Sequence, residues 1–360
     1  MNPIRLLDLG IVPALRSQTV YHAVGYALGA DSPDTIILVS PDAPYVSIGR
    51  HQDVDREVDL DYTKAAGLPV IRREVGGGAV YLDKDQVFTQ WAFRADHLPA
   101  TVEERFRLYV ETLVRAYRSL GIAAEYRPIN DVHVAGRKIG GTGAARMDRA
   151  EVVVGSLMFD FDMATMARVL KVPSEKFRDK VHQSLLDYMT TMRRELGEPP
   201  PRQVVVDAYV AACAAVLERP IEPGELRADE LELATTLDER FASDDWLHEA
   251  GGLRRAGVRI HEDVRVGEGA HKAAGGLIRC VVRLRGGLLD DVGLSGDFTA
   301  RPATMPADLE VELRGTELSD AALLAAVNGY YSRVRPEIPG VTPQDWVSAI
   351  LAAATTEVPA

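Results

Sequence analysis

The chain has 360 residues, with 41 lysines and arginines against 53 aspartates and glutamates, so its formal net charge is −12. This acidity disfavours a cationic nucleic-acid-binding protein. Hydrophobic residues make up 46% of the chain and charged residues 26%, a composition that excludes a disordered or collagen-like protein. The length predicts two domains, each able to bury its own core, with one large domain as the alternative.

Cysteines and apolar segments indicate the compartment. The two cysteines, Cys213 and Cys280, are too few for a disulfide framework or a four-ligand zinc site. Asp8 and Pro13 interrupt the N-terminal apolar stretch, unlike a secretory signal. No segment approaches the roughly 18 uninterrupted apolar residues of a membrane span. We therefore expect a soluble, cytoplasmic protein without nucleic-acid or membrane partners.

The first part of the chain alternates strand and helix patterns. A β-branched run from Thr35 to Ser47, broken by prolines, predicts two strands. Short apolar stretches on either side of Gly76–Gly78 predict two more. Apolar residues then recur at helical spacing from Val102 to Leu120, and the pattern stops at Gly121. Strands followed by a helix predict a mixed α/β layer.

The next segment contains a glycine-rich stretch between two apolar runs. Residues 132–134 and 152–159 are expected to form a hairpin-like pair of strands around a loop at residues 140–143. Residues 163–196 predict helical pieces that are broken at Pro173.

The C-terminal part predicts helices first and strands afterwards. Helical patterns cover residues 204–217 and 226–247, and the acidic run Asp229–Leu233 is expected to be a solvated helix face. Strands from residue 256 onward surround a turn at Gly286–Gly287.

A helix at residues 320–333 is expected to close this part of the chain. With a boundary near Gly251–Gly252, the expected domains are residues 1–250 and 251–360.

Two constellations could carry chemistry. In the first, Arg72 and Arg73 lead into Gly76–Gly78, and Ala79 and Asp83 follow. Glycines let backbone amides approach an anion, and arginines supply bidentate donors to phosphate or carboxylate. A nucleotide-like ligand would fit. A glycine-rich turn with solvated arginines is an equally good interpretation on composition alone.

The second constellation runs from Asn130 to Arg146. Between Arg127 and Arg146 there are four basic residues and one acid, which favours an anionic ligand. Lys138, among glycines, could present a point charge to a phosphate or an oxyanion. The sequence is neither a Walker A loop nor a Rossmann fingerprint, and a basic hairpin tip is the alternative. Most of the eight histidines are expected to be surface residues.

Together these segments resemble the lipoate-protein ligase A family, with its R-R-x-x-G-G-G-x-V and N-D…K-I-x-G-[ST] strand-turns. Val46–Gln52, Val154–Leu157 and Ser295–Phe298 extend the resemblance along the chain. It implies an α/β fold: a large biotinyl/lipoyl-transferase-like domain with a mixed sheet flanked by helices, plus a small C-terminal α+β accessory domain. The resemblance implies Lys138 as the catalytic residue. The implied substrate- and nucleotide-binding residues are Arg72, Arg73, Gly76, Gly77, Gly78, Ala79, Asp83, Asn130, Asp131, Gly141 and Thr142.

By resemblance, the chain would be an ATP-dependent ligase that activates lipoate or octanoate as acyl-AMP. It would transfer the acyl group to a lysine of lipoyl-domain acceptors, such as the E2 subunits of 2-oxoacid dehydrogenases or the glycine cleavage H protein. Mg²⁺ would arrive with ATP, near Asp131, and no protein-held metal is expected.

Two alternatives remain open. An octanoyl or lipoyl transferase would need an activated cysteine beside the acyl pocket, but Cys213 and Cys280 are remote in sequence from both constellations. A non-catalytic lipoyl- or nucleotide-binding homologue is suggested by Leu82, Ala144 and Val154, where the family usually has polar residues. The same three residues predict a more apolar acyl pocket that discriminates weakly between lipoate and octanoate.

Overall fold

The structure is a computed structural model that describes residues 2–249 and 264–356. The chain divides into two compact units. The first comprises Met1–Ile48, Glu57–Val75 and Ala79–Leu247, and the second comprises Gly49–Arg56, Gly76–Gly78 and His248–Ala360. The expected boundary at Gly251–Gly252 and the first residues of the strand region expected from residue 256 lie outside the described residues. The division into domains 1–250 and 251–360 therefore stays a prediction.

Twelve strands are described up to residue 249. They are β1 (Ile4–Val12), β2 (Thr35–Pro41), β3 (Tyr45–Ile48), β4 (Val70–Arg72), β5 (Val80–Leu82), β6 (Gln86–Arg94), β7 (Ala124–Arg127), β8 (Asp131–Val134), β9 (Arg137–Gly141), β10 (Gly143–Met147), β11 (Ala150–Met158) and β12 (Ile221–Pro223).

Ten α-helices are described in the same range, together with a short 3₁₀ helix at Ala95–His97. They are α1 (Ala14–Tyr26), α2 (Val54–Glu57), α3 (Leu60–Ala65), α4 (Val102–Ser119), α5 (Met163–Val169), α6 (Glu175–Tyr188), α7 (Met192–Leu196), α8 (Arg202–Leu217), α9 (Ala228–Phe241) and α10 (Asp244–Leu247).

A mixed six-stranded sheet lies at the centre of the first unit, in the order β10-β11-β6-β2-β1-β12. Strands β2, β1 and β12 run parallel, and the other neighbours are antiparallel. Because side chains alternate across a strand, β6 sends Trp91 and Phe93 into one core and Phe88 and Ala92 into another. Helices α4 and α8 cover the first face, and α1 and α9 cover the second. The expected mixed sheet flanked by helices is confirmed.

Helix α4 illustrates how the local sequence sets an element. Thr101 and Glu104 form a capping box at its start, and the buried residues Phe106, Tyr109 and Leu113 recur on one face. The helix expected from Val102 to Leu120 is confirmed. The strands expected within residues 35–47 and the helical pieces expected within residues 163–196 are also present.

The hairpin expected between residues 132–134 and 152–159 is wrong. Residues 137–141 and 143–147 form two further strands, interrupted only at Thr142. β9 pairs with β8 in a small antiparallel sheet with β7, whereas β10 pairs with β11 in the central sheet. The two predicted strands, β8 and β11, therefore do not pair with each other, because each has an antiparallel partner that is closer in sequence.

The sequence predicts that the acidic run in α9 is a solvated helix face, but one of its carboxylates is buried. Glu230 is fully buried, and it forms ion pairs with Arg5 at 2.5 Å and with Arg227 at 3.0 Å. A buried carboxylate is tolerated only when it is paired in this way.

The second unit contains an antiparallel sheet of β13 (Val264–Ala273), β14 (Gly276–Arg285) and β15 (Leu288–Gly296). The expected turn at Gly286–Gly287 joins β14 to β15, with both residues at positive φ. Helices α11 (Met305–Leu313), α12 (Asp320–Val334) and α13 (Pro343–Thr355) share its core. Helix α12 corresponds to the helix expected at residues 320–333. Across residues 2–249 and 264–356, no helix combines the length and the apolar character that a membrane span requires.

Candidate functional site

Lys138 lies in a strand hairpin that also presents Asp131. β8 and β9 pair so that His133 faces Lys138 and Asp131 faces Gly141, with an irregularity after Val132. The Lys138 Nζ lies 2.8 Å from Asp131 Oδ1, and both side chains are partly exposed, at 28% and 19%. The hairpin therefore presents an ammonium group, held by a carboxylate, to solvent and to any anionic ligand.

Gly141 makes room for that lysine. A Cβ at Gly141 would lie 2.7 Å from Lys138 Nζ and 3.3 Å from Asp131 Oδ1. Such distances are shorter than van der Waals contact, so any larger residue would displace the ammonium group. The resemblance placed Gly141 at a ligand, and the structure places it under the lysine side chain.

Asn130 and Thr142 join the two ends of the hairpin. The Thr142 backbone N–H and its Oγ1 each donate to Asn130 O at 3.0 Å, and the Asn130 Nδ2 donates to Thr142 O. In this structure these polar groups thus hold the hairpin closed. Their contact with a ligand stays a prediction.

The segment after α6 supports the lysine from the other side. The Thr190 N–H donates to Lys138 O at 2.8 Å. A Cβ at Gly155 would lie 3.1 Å from Gly141 O and 3.2 Å from the Tyr109 ring, so β11 also packs tightly against the hairpin. The backbone that carries Lys138 is therefore fixed on both sides, while its side chain remains partly exposed.

Arg73 lies beside a group of hydroxyls. Its Nη1 donates to Ser47 Oγ at 3.2 Å, and Tyr21 and Tyr45 are electrostatic neighbours. Burial lowers the pKa of Arg73 from its ordinary value. The contact of Arg73 with an anionic ligand stays a prediction.

Arg72 is oriented differently. It is fully buried, and its guanidinium donates to the backbone carbonyls of Trp246 and Leu247 at distances from 2.6 to 3.1 Å. The Trp246 Nε1 donates back to Arg72 O at 2.8 Å. This reciprocal arrangement fastens α10 to β4, which gives Arg72 a structural role. Its assignment to nucleotide binding stays a prediction.

Asp83 follows β5 in an acidic environment, and Ala79 precedes the same strand half-buried. Burial raises the pKa of Asp83 to about 6, while the Asp85 N–H that donates to it lowers the pKa. Asp85, Asp162 and Asp160 add electrostatic repulsion. Such surroundings oppose direct contact with a phosphate, and the roles of Asp83 and Ala79 in binding stay predictions.

The glycines Gly76, Gly77 and Gly78 belong to the second unit. Within that unit, a Cβ at Gly76 would lie 2.7 Å from Phe298 O and 2.7 Å from Thr299 Oγ1, and Gly77 has φ +102°. Close packing thus explains the glycine at residue 76. His51 stacks on the Phe298 ring with centroids 5.3 Å apart. The second unit therefore gathers three sequence segments on which the resemblance rests.

Both cysteines are buried in apolar cores. Cys213 lies in α8 with no exposed surface, and burial raises the pKa of its thiol to about 12. Cys280 lies in β14, also without exposed surface, and burial raises its pKa strongly. Neither thiol is accessible or available as a thiolate.

Residues 2–249 and 264–356 contain no cluster of three or more His, Cys, Asp or Glu side chains that could hold a metal ion. Asp131, the residue expected near Mg²⁺, has one oxygen engaged by Lys138. The binding of Mg²⁺ near Asp131, together with ATP, stays a prediction.

The three residues expected to line one acyl pocket are separated by the central sheet. Leu82 and Val154 pack with the core on the α1 side, whereas Ala144 packs with the core on the α4 side. Ala144 pairs with Val153, so the next residue of β11, Val154, faces the opposite side of the central sheet, and Leu82 belongs to β5 in a separate sheet with β3 and β4. The prediction that these three residues line one apolar pocket is therefore wrong.

His133 is a site residue that sequence reasoning missed. It is 1% exposed, and its Nε2 lies 3.7 Å from Asp131 Oδ2. Its position two residues after Asp131 in a strand was the available signal, because residues i and i+2 share a face. His22 and His51 are also buried, unlike His97 and His248, which are exposed as expected for most of the histidines.

Known proteins similar to this chain include octanoyltransferases and lipoate-protein ligases. The sequence profile of the lipoyl protein ligase A/B catalytic domain matches residues 19–214. An octanoyltransferase LipM from Kyrpidia tusciae is 30% identical over 270 residues, which covers 68% of this chain and 98% of the relative. Lipoate-protein ligase A subunit 1 from Thermoplasma acidophilum is 30% identical over 212 residues, covering 56% of this chain and 79% of that protein.

A solved structure supports the same relationship. It comes from a study of an archaeal lipoylation system, a bipartite lipoate protein ligase and its E2 lipoyl domain from Thermoplasma acidophilum. The similarity covers 73% of this chain and 100% of that chain, with 25% identity and a TM-score of 0.64.

Proposed function

Because the chain belongs to the lipoyl protein ligase A/B catalytic domain family, and is thus an enzyme of the lipoate ligase and transferase group, we propose that it is an ATP-dependent ligase. It activates octanoate or lipoate as acyl-AMP and transfers the acyl group to a lysine of a lipoyl-domain protein. The E2 lipoyl domain studied with the archaeal ligase supports this class of acceptor.

The burial of both cysteines carries the choice of chemistry. A thioester route needs a thiolate next to the acyl group, and neither Cys213 nor Cys280 reaches solvent. The raised pKa of Cys213, about 12, further reduces its thiolate population near neutral pH. Lys138, by contrast, offers a partly exposed cation of the kind that an adenylation step requires.

The first half-reaction forms the acyl adenylate. A carboxylate oxygen of the fatty acid attacks the α-phosphorus of ATP, and the bond to the β,γ-diphosphate breaks, so that pyrophosphate leaves with the bonding electron pair. Negative charge accumulates on the phosphoryl oxygens during this step. Lys138 meets that charge with its N–H donors after leaving Asp131, and the flanking hairpin bonds keep its backbone in place.

The second half-reaction transfers the acyl group. The neutral amine of an acceptor lysine attacks the acyl carbon, AMP leaves with the electron pair of the broken C–O bond, and the proton of the attacking nitrogen passes to solvent. No group of this chain forms a covalent bond in either step. The cations at Lys138 and Arg73 stabilise the phosphate of the departing AMP.

Octanoyl transfer from a carrier protein is a second candidate. The similarity to an octanoyltransferase that covers 98% of that relative favours it. With both thiols buried, such a transfer would require the acceptor lysine to attack the donor thioester directly.

One experiment separates the two candidates. The protein is incubated with ATP, Mg²⁺ and octanoate, and octanoyl-AMP is detected by mass spectrometry. A parallel reaction contains octanoyl-carrier protein and a lipoyl domain without ATP. Adenylate formation that falls about 100- to 1,000-fold in Lys138→Ala supports the ligase. The exposed Lys171→Ala is the matched control and should behave as the unmodified protein. ATP-independent transfer without any adenylate would refute the ligase.

A further inference from the structure

His133 is a buried imidazole that has no role in the two half-reactions proposed above. Within residues 2–249 and 264–356, neither its Nδ1 nor its Nε2 has a hydrogen-bond partner. The Tyr188 ring at the end of α6 covers it edge-on, with centroids 5.6 Å apart. Because buried polar groups are almost always hydrogen-bonded, two unpartnered ring nitrogens call for a functional explanation.

Asp131 offers the missing partner. One of its oxygens, Oδ1, holds Lys138 at 2.8 Å, while the other, Oδ2, lies 3.7 Å from His133 Nε2. That separation exceeds a hydrogen bond by less than 1 Å. The carboxylate therefore stands between two groups, bound to the lysine and within a small rotation of the imidazole.

We propose that His133 is a positioning residue that takes over Asp131 when Lys138 turns to its anionic substrate. This inference rests on the proposed function, which draws Lys138 to developing negative charge. As the lysine leaves, the His133 Nε2–H donates to Asp131 Oδ2, so that the carboxylate keeps one partner. No bond to carbon or phosphorus changes, and the proton stays on Nε2.

The exchange lowers the cost of releasing the lysine. A half-buried carboxylate without a partner is unfavourable, and it would pull Lys138 back from the substrate. A neutral imidazole carries one N–H, which is all that Asp131 then requires. Glu125, which faces His133 across β7 and β8, is exposed, and Tyr188 leaves His133 little solvent with which to bond instead.

The first test requires no catalysis. In protein labelled with ¹⁵N-histidine, long-range ¹H–¹⁵N spectra report which ring nitrogen carries the proton, and His133→Gln identifies the signal. We expect the Nε2–H tautomer. Lys138→Met removes the ammonium partner of Asp131, so the carboxylate can accept a hydrogen bond from His133. The Nε2–H proton should then move to lower field and exchange more slowly with water. Lys171→Met serves as control. An Nδ1–H tautomer, or a signal unaffected by Lys138→Met, would overturn the proposal.

The second test follows octanoyl-AMP formation. His133→Leu should lower kcat about 10- to 100-fold, the range expected for one lost hydrogen bond to a charged group, with little change in KM for ATP. His133→Gln, whose amide N–H can reach Asp131 Oδ2, should recover most of the rate at a similar unfolding temperature. Equal rates in both variants and the unmodified protein would overturn the proposal. If the unmodified protein forms no octanoyl-AMP while the spectra change as expected, the ligase assignment fails and the exchange at Asp131 stands.

Discussion

Gly141→Ala is a sharp perturbation of the hairpin, because it adds one methyl group directly beneath the lysine. That methyl group would lie 2.7 Å from Lys138 Nζ and 2.9 Å from Lys138 Cε. These atoms form the far end of a flexible side chain, so the lysine moves and the backbone does not. The backbone φ of Gly141 is not positive, so alanine introduces no strain there.

Stability and activity should therefore respond differently. A partly exposed ion pair contributes about 0–1 kcal/mol, and alanine restricts the unfolded chain by about 0.4–1 kcal/mol relative to glycine. The two effects offset each other, so the free energy of unfolding should change by less than about 1 kcal/mol. A catalytic group misplaced by about 1 Å can cost about 100-fold in rate, which is the loss we expect in adenylate formation.

Gly140→Ala is the matched control, one residue away in the same strand. A Cβ at Gly140 would meet its nearest atom, Ser156 O, at 3.5 Å, which is ordinary contact. Octanoyl-AMP formation is measured for both variants, with thermal unfolding in parallel. Gly141→Ala should lose activity at nearly unchanged stability, while Gly140→Ala should retain it. Equal activity in the two variants would show that adenylate formation does not depend on where the Lys138 ammonium group lies relative to Gly141.

Three further predictions follow from the burial of individual side chains. Arg72→Met should lower the free energy of unfolding by about 2–3 kcal/mol, measured by denaturant titration, because two backbone carbonyls lose a charged donor. Cys213→Ala combined with Cys280→Ala should leave adenylate formation measurable and cost about 1 kcal/mol per site, and complete inactivity of a folded protein would favour the transferase. The folded-state pKa of Asp83, about 6, exceeds its ordinary 3.8, so the folded protein binds a proton more tightly and stability falls as pH rises between these values. Asp83→Asn should therefore raise the unfolding temperature at about pH 8 but not at about pH 4.

The burial of both cysteines bears on the comparison with the LipM relative, because a shared fold does not imply a shared acyl donor. Two enzymes of one fold can use different acyl donors when the groups around the acyl carbon differ. Cys213 fills a core position between α8 and α4, in contact with Tyr209. A thiol in that position stabilises the core and cannot attack an acyl group.

Local sequence patterns determined much of the fold. Periodicity and capping residues were sufficient for α4, because its apolar positions and its Thr101–Glu104 cap are encoded within a single segment. The turn at Gly286–Gly287 and the clustering of charge around Lys138 were also visible in the sequence. Each of these features depends on residues only a few positions apart in the chain, so it can be predicted from the sequence alone.

Strand pairing and burial were decided by the tertiary structure. β8 and β11 look like partners in the sequence, but each pairs with the closer strand, β9 or β10, because a short connection costs less conformational entropy. Likewise, nothing local distinguishes Arg72 from Arg73, yet one fastens α10 and the other faces hydroxyls. The environment of a charged side chain depends on residues distant in sequence, and only the folded chain brings them together.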